Sequence, residues 1–134
     1  MAKYLQVKYC SAVNSGSSAR SVGVYDADIA IAGGARDFTR GRSDHSGCRI
    51  STTVTPMLQY GAVPVFVDVT IPQYNIDTDR LEEAFSPKTK AVMIAHTLGN
   101  PFDLKKVKDF CDRHDLWLVE DNCDALGSRY CMNE

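Results

Sequence analysis

The amino-acid sequence predicts an α/β protein built on a parallel β-sheet. From Thr53 onward, short β-branched runs alternate with helical segments, and the connections between them are short. The runs are almost continuously apolar, which is typical of strands that are covered on both faces. The chain has 134 residues, enough for one domain or part of one but not for two.

The alternation begins with a helix and a strand. The spacing predicts a short helix over Thr53–Tyr60, which Gly61 ends. The run Val63–Val69 (VPVFVDV) is β-branched and nearly continuous in apolar character. It predicts a buried parallel strand.

A second helix and strand follow. Asp77 or Thr78 can cap the helix, and Ser86-Pro87 ends it. The apolar strand Ala91–Ala95 comes next. The residues predicted to share the inner face of this helix are Leu81, Ala84 and Phe85.

A third helix and strand complete the pattern. Asp103 is the predicted N-cap, and the strand covers Leu116–Val119. Right-handed crossovers would place the strand pairs side by side with helices on the faces. Cys111 is predicted to be a packed core thiol. The inner stripe of the helix is Leu104, Val107, Phe110 and Cys111.

Residues 20–51 do not follow this alternation of helices and strands. They carry scattered charges, two adjacent glycines and no sustained period, so we expect an irregular or disordered segment. A polar surface loop is the simplest interpretation. A structureless loop of this length is uncommon inside a compact domain, however, and this favours a second hypothesis.

The second hypothesis is that 20–51 is encoded out of frame. Arg42–Ser51 can be written as CGA AGT GAT CAC AGC GGC TGC CGG ATT TCC, and regrouping from the second base gives EVITAAAGFP. The pattern of that peptide predicts a strand followed by a turn. Codon degeneracy leaves freedom in this choice, so the nucleotide sequence decides the question.

Composition excludes several classes of function. Lys+Arg 15 against Asp+Glu 17 gives a net charge of -2, so neither nucleic acid nor an anionic membrane is an expected partner. No membrane span or secretory signal is apparent, and we expect a soluble cytoplasmic protein. The cysteines form neither a disulfide framework nor a zinc motif; they are Cys10, Cys48, Cys111, Cys123 and Cys131.

Three segments carry residues suited to chemistry. Glu120, Asp121 and Cys123 follow the last strand, at the edge where open parallel sheets bind ligands. Asn14–Ala19 (NSGSSA) could cradle an anion with backbone N–H groups and hydroxyls at a helix N-terminus. The loop His96–Pro101 follows another strand. Each segment also has a simpler interpretation, as a solvated strand end or an ordinary loop.

Four stretches together resemble a known family: NSGSSA, TTVTPMLQYGAVPVFVDV, AHTLGNPFDL and LWLVEDNCDALGS. They look like the fold type I, pyridoxal-phosphate-type sugar aminotransferases and dehydrases. The likeness covers roughly Val7–Ala19 and Thr52–Tyr130. It implies part of the large, mostly parallel-sheet domain of the aspartate-aminotransferase type.

The resemblance implies roles for individual residues. Asp121 matches the aspartate that holds the protonated pyridine nitrogen of the cofactor, pyridoxamine or pyridoxal 5'-phosphate. Gly16, Ser17 and Ser18 match the turn that contributes to holding the cofactor phosphate. Glu120 is more readily interpreted as a structural or solvated acid. The aromatic residue that stacks on the cofactor in the family would appear in the restored frame, whereas this chain has Ile50 in that position.

Cys123 distinguishes two branches of the family. Aminotransferases usually carry a small residue there, whereas the dehydrases of the closest likeness carry a cysteine that binds a 2Fe-2S cluster. Those dehydrases remove the 3-hydroxyl of a CDP-linked 4-keto-6-deoxyhexose in dideoxysugar and lipopolysaccharide O-antigen biosynthesis. By itself Cys123 could instead be a packed thiol. The other cluster ligands are expected downstream of Glu134.

The implied activity leaves three hypotheses. The chain is a fragment of such a 3-dehydrase, a fragment of a nucleotide-sugar aminotransferase, or an inactive product of a damaged gene. The parent enzymes act as homodimers, and the dehydrase takes electrons from a partner reductase. The Schiff-base lysine of aminotransferases, or the histidine that replaces it, would lie beyond the chain, and neither His96 nor His114 matches it. No catalytic base is therefore assigned.

Overall fold

The computed structural model describes residues 1–16, 18–19, 29–33 and 48–130, with the backbone alone for 29–33 and 48–53. None of the helices in these ranges is long and apolar enough to cross a membrane. The elements are α1 (Ala2–Leu5), β1 (Ile29–Gly33), α2 (Cys48–Gln59), β2 (Val63–Val67), α3 (Leu81–Ala84), β3 (Ala91–Ala95), α4 (Leu104–His114) and β4 (Trp117–Asp121).

Within the described ranges, four strands form one parallel sheet in the order β2-β1-β3-β4. Strand β1 pairs with β2 from Ile29↔Val63 onward. Strand β3 pairs with β4 along its whole length, from Ala91↔Trp117 to Ala95↔Asp121. The predicted α/β class with a parallel sheet is confirmed.

Strand β1 lies inside the segment for which we expected no regular structure. Its residues Ile29–Gly33 (IAIAG) pair with β2 on one side and with β3 on the other, where Ala30 lies opposite Ala91. Strands β2 and β3 are therefore not neighbours, although consecutive strands had been expected side by side. A five-residue apolar run is long enough for a strand. Because polar residues flank it on both sides, it is too short to produce a recognisable periodic pattern in the sequence. Residues 20–28 and 34–47 lie outside the described residues.

The other predicted elements are confirmed with shifted bounds. Helix α2 begins at Cys48, five residues before the predicted start, and Gly61 follows it with φ +78°. Strand β3 has the predicted bounds. Strand β2 ends two residues early and lies at the sheet edge, so Val63 is 58% exposed instead of buried as predicted.

The caps predicted from sequence form as hydrogen bonds. The Asp103 side chain accepts from the backbone N–H of Lys106 at 3.1 Å, at the start of α4. The Asp77 side chain accepts from the N–H of Asp79 at 3.2 Å, ahead of a 3₁₀ turn that leads into α3. A carboxylate at these positions pairs an N–H that the helix itself leaves unpaired.

Apolar side chains cover both faces of the sheet. On one face, α4 packs Val107, Phe110 and Cys111 against the sheet. On the other face, Met57 of α2 packs against β3. The strand residues alternate between the two clusters: Val92, Ile94 and Leu118 with α4, and Ala91, Met93 and Val119 with α2.

Two glycines with the same backbone angle allow a matched test of close packing. Gly61 and Gly99 both have φ +78°, but an added Cβ would meet nothing within 4 Å at Gly61 and the Asp124 carbonyl oxygen at 3.0 Å at Gly99. Gly61→Ala should lower the free energy of unfolding by about 1 kcal/mol through backbone strain alone. Gly99→Ala should lower it by roughly 1–3 kcal/mol more, because the two loops must separate.

Urea unfolding followed by circular dichroism measures both losses. Gly16→Ala is the control, because an added Cβ there meets nothing within 4 Å. Equal losses for the Gly61 and Gly99 variants would show that the contact with Asp124 does not constrain the loop.

Candidate functional site

The pairing of β3 with β4 brings the candidate residues to one edge of the sheet. Ile94 lies opposite Glu120, and Ala95 lies opposite Asp121. One residue further on, the backbone N–H of His96 donates to the Asp121 carbonyl oxygen at 3.3 Å. The His96–Pro101 loop and the loop after β4 therefore meet at the carboxyl edge, as the sequence predicted.

Glu120 and Asp121 project from opposite faces of the sheet, because successive residues of a strand alternate. Glu120 follows Leu118 on the α4 face, whereas Asp121 follows Val119 on the α2 face. The acid pair is thus not one site with two carboxylates. Each carboxylate faces a different environment.

Asp121 organises the turn that follows it. Its Oδ1 accepts from the backbone N–H of Cys123 at 3.2 Å, in the manner of an Asx turn. Asp121 is half-buried, and Cys123 is exposed. The hydrogen bond ties the cysteine to the aspartate, so the two residues singled out from the sequence form one local unit.

Glu120 pairs with a histidine that sequence analysis left without a specific role. Its Oε2 lies 3.0 Å from His96 Nε2. The His96 residue is 7% exposed, and its ring stacks on Phe102, with ring centroids 4.4 Å apart and planes 10° apart. His96 therefore both packs against Phe102 and pairs with Glu120 of the neighbouring strand. The period-two alternation of β4 could have indicated that Glu120 faces away from Asp121.

The Asn14–Ala19 turn, for which an anion cradle was predicted, has the hydrogen bonds of a helix start. Ser15 Oγ accepts from the N–H of Ser18 at 3.2 Å, which is the bonding of a helix N-cap, and Ser18 Oγ donates to Asn14 Oδ1 at 2.8 Å. Gly16 is exposed with open space around it. Ser17, the third residue predicted here, lies outside the described residues.

A cavity of about 410 Å³ lies beside the pair formed by His96 and Glu120. Its wall includes Gly99, Ala125 and Leu104. Since Glu120 lines it, the cavity is on the α4 side of β4, on the opposite face from the Asp121 carboxylate.

The cysteines differ sharply in their surroundings. Cys111 is 1% exposed in the α4 core, as predicted, and burial raises the pKa of its thiol to about 11, with the neighbouring Asp112 carboxylate adding to the rise. Among the side chains that the structure describes, no group of three or more His, Cys, Asp or Glu residues is placed to hold a metal ion. Those side chains alone therefore do not complete an iron–sulfur cluster, which takes four protein ligands.

Comparison with solved structures defines the class of protein. The chain superposes on the GDP-4-keto-6-deoxy-D-mannose-3-dehydratase of E. coli, solved with bound hydrated PLP, with a TM-score of 0.75 and 29% sequence identity. The superposition covers 96% of this chain and 33% of that one. The fold is that of the fold type I pyridoxal-phosphate-dependent sugar aminotransferases and dehydrases, which confirms the fold predicted from the resemblance.

Sequence comparison defines the family within that class. The profile of the DegT/DnrJ/EryC1/StrS aminotransferase family matches residues 1–132. The chain belongs to this family.

Two relatives show how the similarity is distributed. The lipopolysaccharide biosynthesis protein RfbH of Salmonella typhimurium is 58% identical over 79 residues, which is 59% of this chain and 18% of that protein. The dTDP-4-dehydro-2,6-dideoxy-D-glucose 3-dehydratase of Saccharopolyspora spinosa is 40% identical over 129 residues, which is 96% of this chain and 28% of that protein. The chain spans less than a third of either relative.

The burial of the thiols predicts a difference in reactivity. In the folded chain at about pH 8, iodoacetamide should alkylate Cys123 and the exposed Cys10 within minutes, whereas Cys111 should react only after unfolding in urea. The thiolate is the reactive form, and the raised pKa of Cys111 keeps its sulfur protonated until the pH approaches 11. Peptide mapping by mass spectrometry separates the sites. Alkylation of Cys111 at the rate of Cys10 in the folded chain would contradict the packing of α4.

Proposed function

We propose that this chain is part of a pyridoxamine-phosphate- and 2Fe-2S-dependent dehydrase. The parent would remove the 3-hydroxyl of a CDP-linked 4-keto-6-deoxyhexose in dideoxysugar biosynthesis for the lipopolysaccharide O-antigen. The single observation that carries the proposal is the hydrogen bond from the Cys123 N–H to Asp121 Oδ1 at the carboxyl edge. It joins the residue suited to hold the cofactor ring to the residue suited to bind iron. The 58% identity to a lipopolysaccharide biosynthesis protein supports the same assignment.

Asp121 is the residue we assign to the cofactor ring. Its carboxylate lies on the α2 face at the carboxyl edge of the sheet, where it could keep a proton on the pyridine nitrogen. With that nitrogen protonated, bound pyridoxamine phosphate supplies an amino group and an electron sink. One oxygen already accepts from the Cys123 N–H, which restricts the rotation of the carboxylate.

Gly16, Ser17 and Ser18 are the residues we assign to the cofactor phosphate. The Ser18 N–H donates to Ser15 Oγ, as at a helix start, and N–H groups at a helix start attract anions. Gly16 leaves the approach to those N–H groups open.

Cys123 is the residue we assign to the metal cluster, as one of its ligands. Its exposure on the loop after β4 leaves the thiol accessible to iron, and thiolates are what 2Fe-2S clusters require. The remaining ligands would lie outside this chain. A partner reductase would supply electrons through the cluster, and the parent would act as a homodimer in the cytoplasm.

An aminotransferase is the second candidate function. The family profile is named for aminotransferases and spans nearly the whole chain. An aminotransferase would use Asp121 and the Ser/Gly turn in the same way, without need of Cys123. The codons beyond Glu134 separate the two: a lysine at the Schiff-base position indicates transfer, whereas a histidine and further cysteines indicate dehydration.

The third candidate is an inactive product of a damaged gene. The similarity to RfbH is high but extends over only 59% of the chain, whereas a more distant relative matches 96%. The hypothesis behind this candidate is that 20–51 is encoded out of frame, although the family profile matches residues 1–132 and so spans this segment. On this hypothesis, the nucleotide sequence over Arg42–Ser51 should encode EVITAAAGFP or a similar peptide when read from the second base. A second frame interrupted by stop codons would rule the hypothesis out.

Cofactor binding tests the role of Asp121. The purified chain should bind pyridoxamine 5'-phosphate, and Asp121→Asn should raise the dissociation constant by roughly tenfold or more, because an amide cannot form the ion pair with a protonated ring. Fluorescence titration measures the dissociation constant, and the absorption spectrum reports the protonation of the ring.

Asp109→Asn is the matched control, because Asp109 is an exposed aspartate on α4. It should leave the dissociation constant unchanged. Binding by the wild-type chain with no difference between the two variants would remove Asp121 from the site. No binding by the wild-type chain would favour the inactive product.

A further inference from the structure

We propose that His96 and Glu120 act as a positioning pair for Asp121. The pair would hold the backbone of Asp121 in the place from which its carboxylate meets the cofactor ring. This inference rests on the proposed role of Asp121. Neither His96 nor Glu120 would touch the cofactor, because Glu120 and Asp121 project from opposite faces of β4.

The contacts of His96 reach both acidic residues. Its ring nitrogen Nε2 lies 3.0 Å from Glu120 Oε2, and its backbone N–H donates to the Asp121 carbonyl oxygen at 3.3 Å. One residue of the β3 loop thereby contacts the side chain of one β4 residue and the main chain of the next. Two such contacts on adjacent residues restrict both the position and the rotation of the strand end.

Burial and stacking hold the histidine of the pair in place, whereas the Glu120 side chain is 33% exposed. The His96 side chain is 8% exposed and stacks on Phe102, which itself lies in the α4 core. His96 Nδ1 is buried with no hydrogen-bond partner. If the ring proton is on Nε2, Nδ1 carries only an unpaired lone pair. A proton on Nδ1 would instead leave a buried N–H group without an acceptor. The arrangement therefore favours donation from Nε2 to Glu120.

A hydrogen bond connects the position of Asp121 to that of the Cys123 backbone. Asp121 Oδ1 accepts from the Cys123 N–H, and Gly99 approaches the Asp124 carbonyl so closely that a Cβ would lie 3.0 Å from its oxygen. The loop after β3 thus contacts β4 and its following loop on both sides of Asp121 in the sequence: His96 contacts Glu120, and Gly99 lies close to Asp124. Loosening the pair should change how the carboxylate and the Cys123 amide are held.

A second histidine–glutamate pair in the same chain provides the matched control. His114 Nε2 lies 3.0 Å from Glu82 Oε2, the same separation as in the site. It joins α4 to α3 and is more exposed, with side-chain exposures of 23% and 52% against 8% and 33% at the site. Any effect that comes merely from removing such a pair should appear at both places.

The experiment compares Glu120→Ala, Glu120→Gln and Glu82→Ala in the whole chain. Pyridoxamine 5'-phosphate is the probe, and its dissociation constant and bound absorption band are measured. Amide hydrogen exchange of Cys123 is followed by NMR without the probe. Glu120→Ala should raise the dissociation constant roughly tenfold, shift the band and speed exchange at Cys123. Glu120→Gln, which can still accept from Nε2, should restore all three, and Glu82→Ala should change none.

The outcomes separate this inference from the proposed function. If the wild-type chain does not bind the probe, the proposed function fails, and exchange at Cys123 still decides whether the pair holds the loop. Binding and exchange in Glu120→Ala that match Glu82→Ala would overturn the inference. A Glu120→Gln variant as impaired as Glu120→Ala would also overturn the inference, because the hydrogen bond to His96 would then not account for the effect. If Glu120→Ala does not fold, His96→Gln takes its place: it removes the imidazole that contacts Glu120 and stacks on Phe102, so it should raise the dissociation constant and speed exchange at Cys123, whereas Glu120→Gln should change neither.

Discussion

The parallel register between β3 and β4 is the constraint on which the candidate site depends. It sets Ala95 opposite Asp121 and places His96 beside the end of β4. A slip of one residue would exchange the faces of Glu120 and Asp121, moving one carboxylate against the α4 core and the other away from it. The apolar clusters on both faces oppose such a slip, because Leu118 packs against the cluster on one face and Val119 against the cluster on the other.

The change from apolar to polar residues along β4 also locates the site. Leu118 and Val119 pack against the two helical layers, and the next two residues of the strand, Glu120 and Asp121, carry charge. The helices cover the middle of the sheet and leave its carboxyl edge to the loops. Polar groups at that edge can meet a ligand because neither helical layer buries them, which explains why open parallel sheets bind ligands there.

Local signals predicted well those features whose energetics are local. Strand β3 was predicted with its observed bounds, Asp103 caps α4 as expected, and Cys111 packs in the core. Strand β1 was missed, because a short apolar run between polar flanks becomes a strand only when neighbouring strands pair with it. The exposure of β2 was missed for a related reason, since its composition does not say which strand lies at the sheet edge.

The sequence by itself determined the α/β class, the caps and the segment that carries Asp121 and Cys123, because apolar periodicity and capping chemistry act between neighbouring residues. Only the tertiary structure decided that Glu120 meets His96, which is 24 residues distant in the chain. It also decided that Gly99 must be small enough for the two loops to touch. These facts follow from strand register and loop packing, and both depend on how separate segments bury their apolar surfaces together.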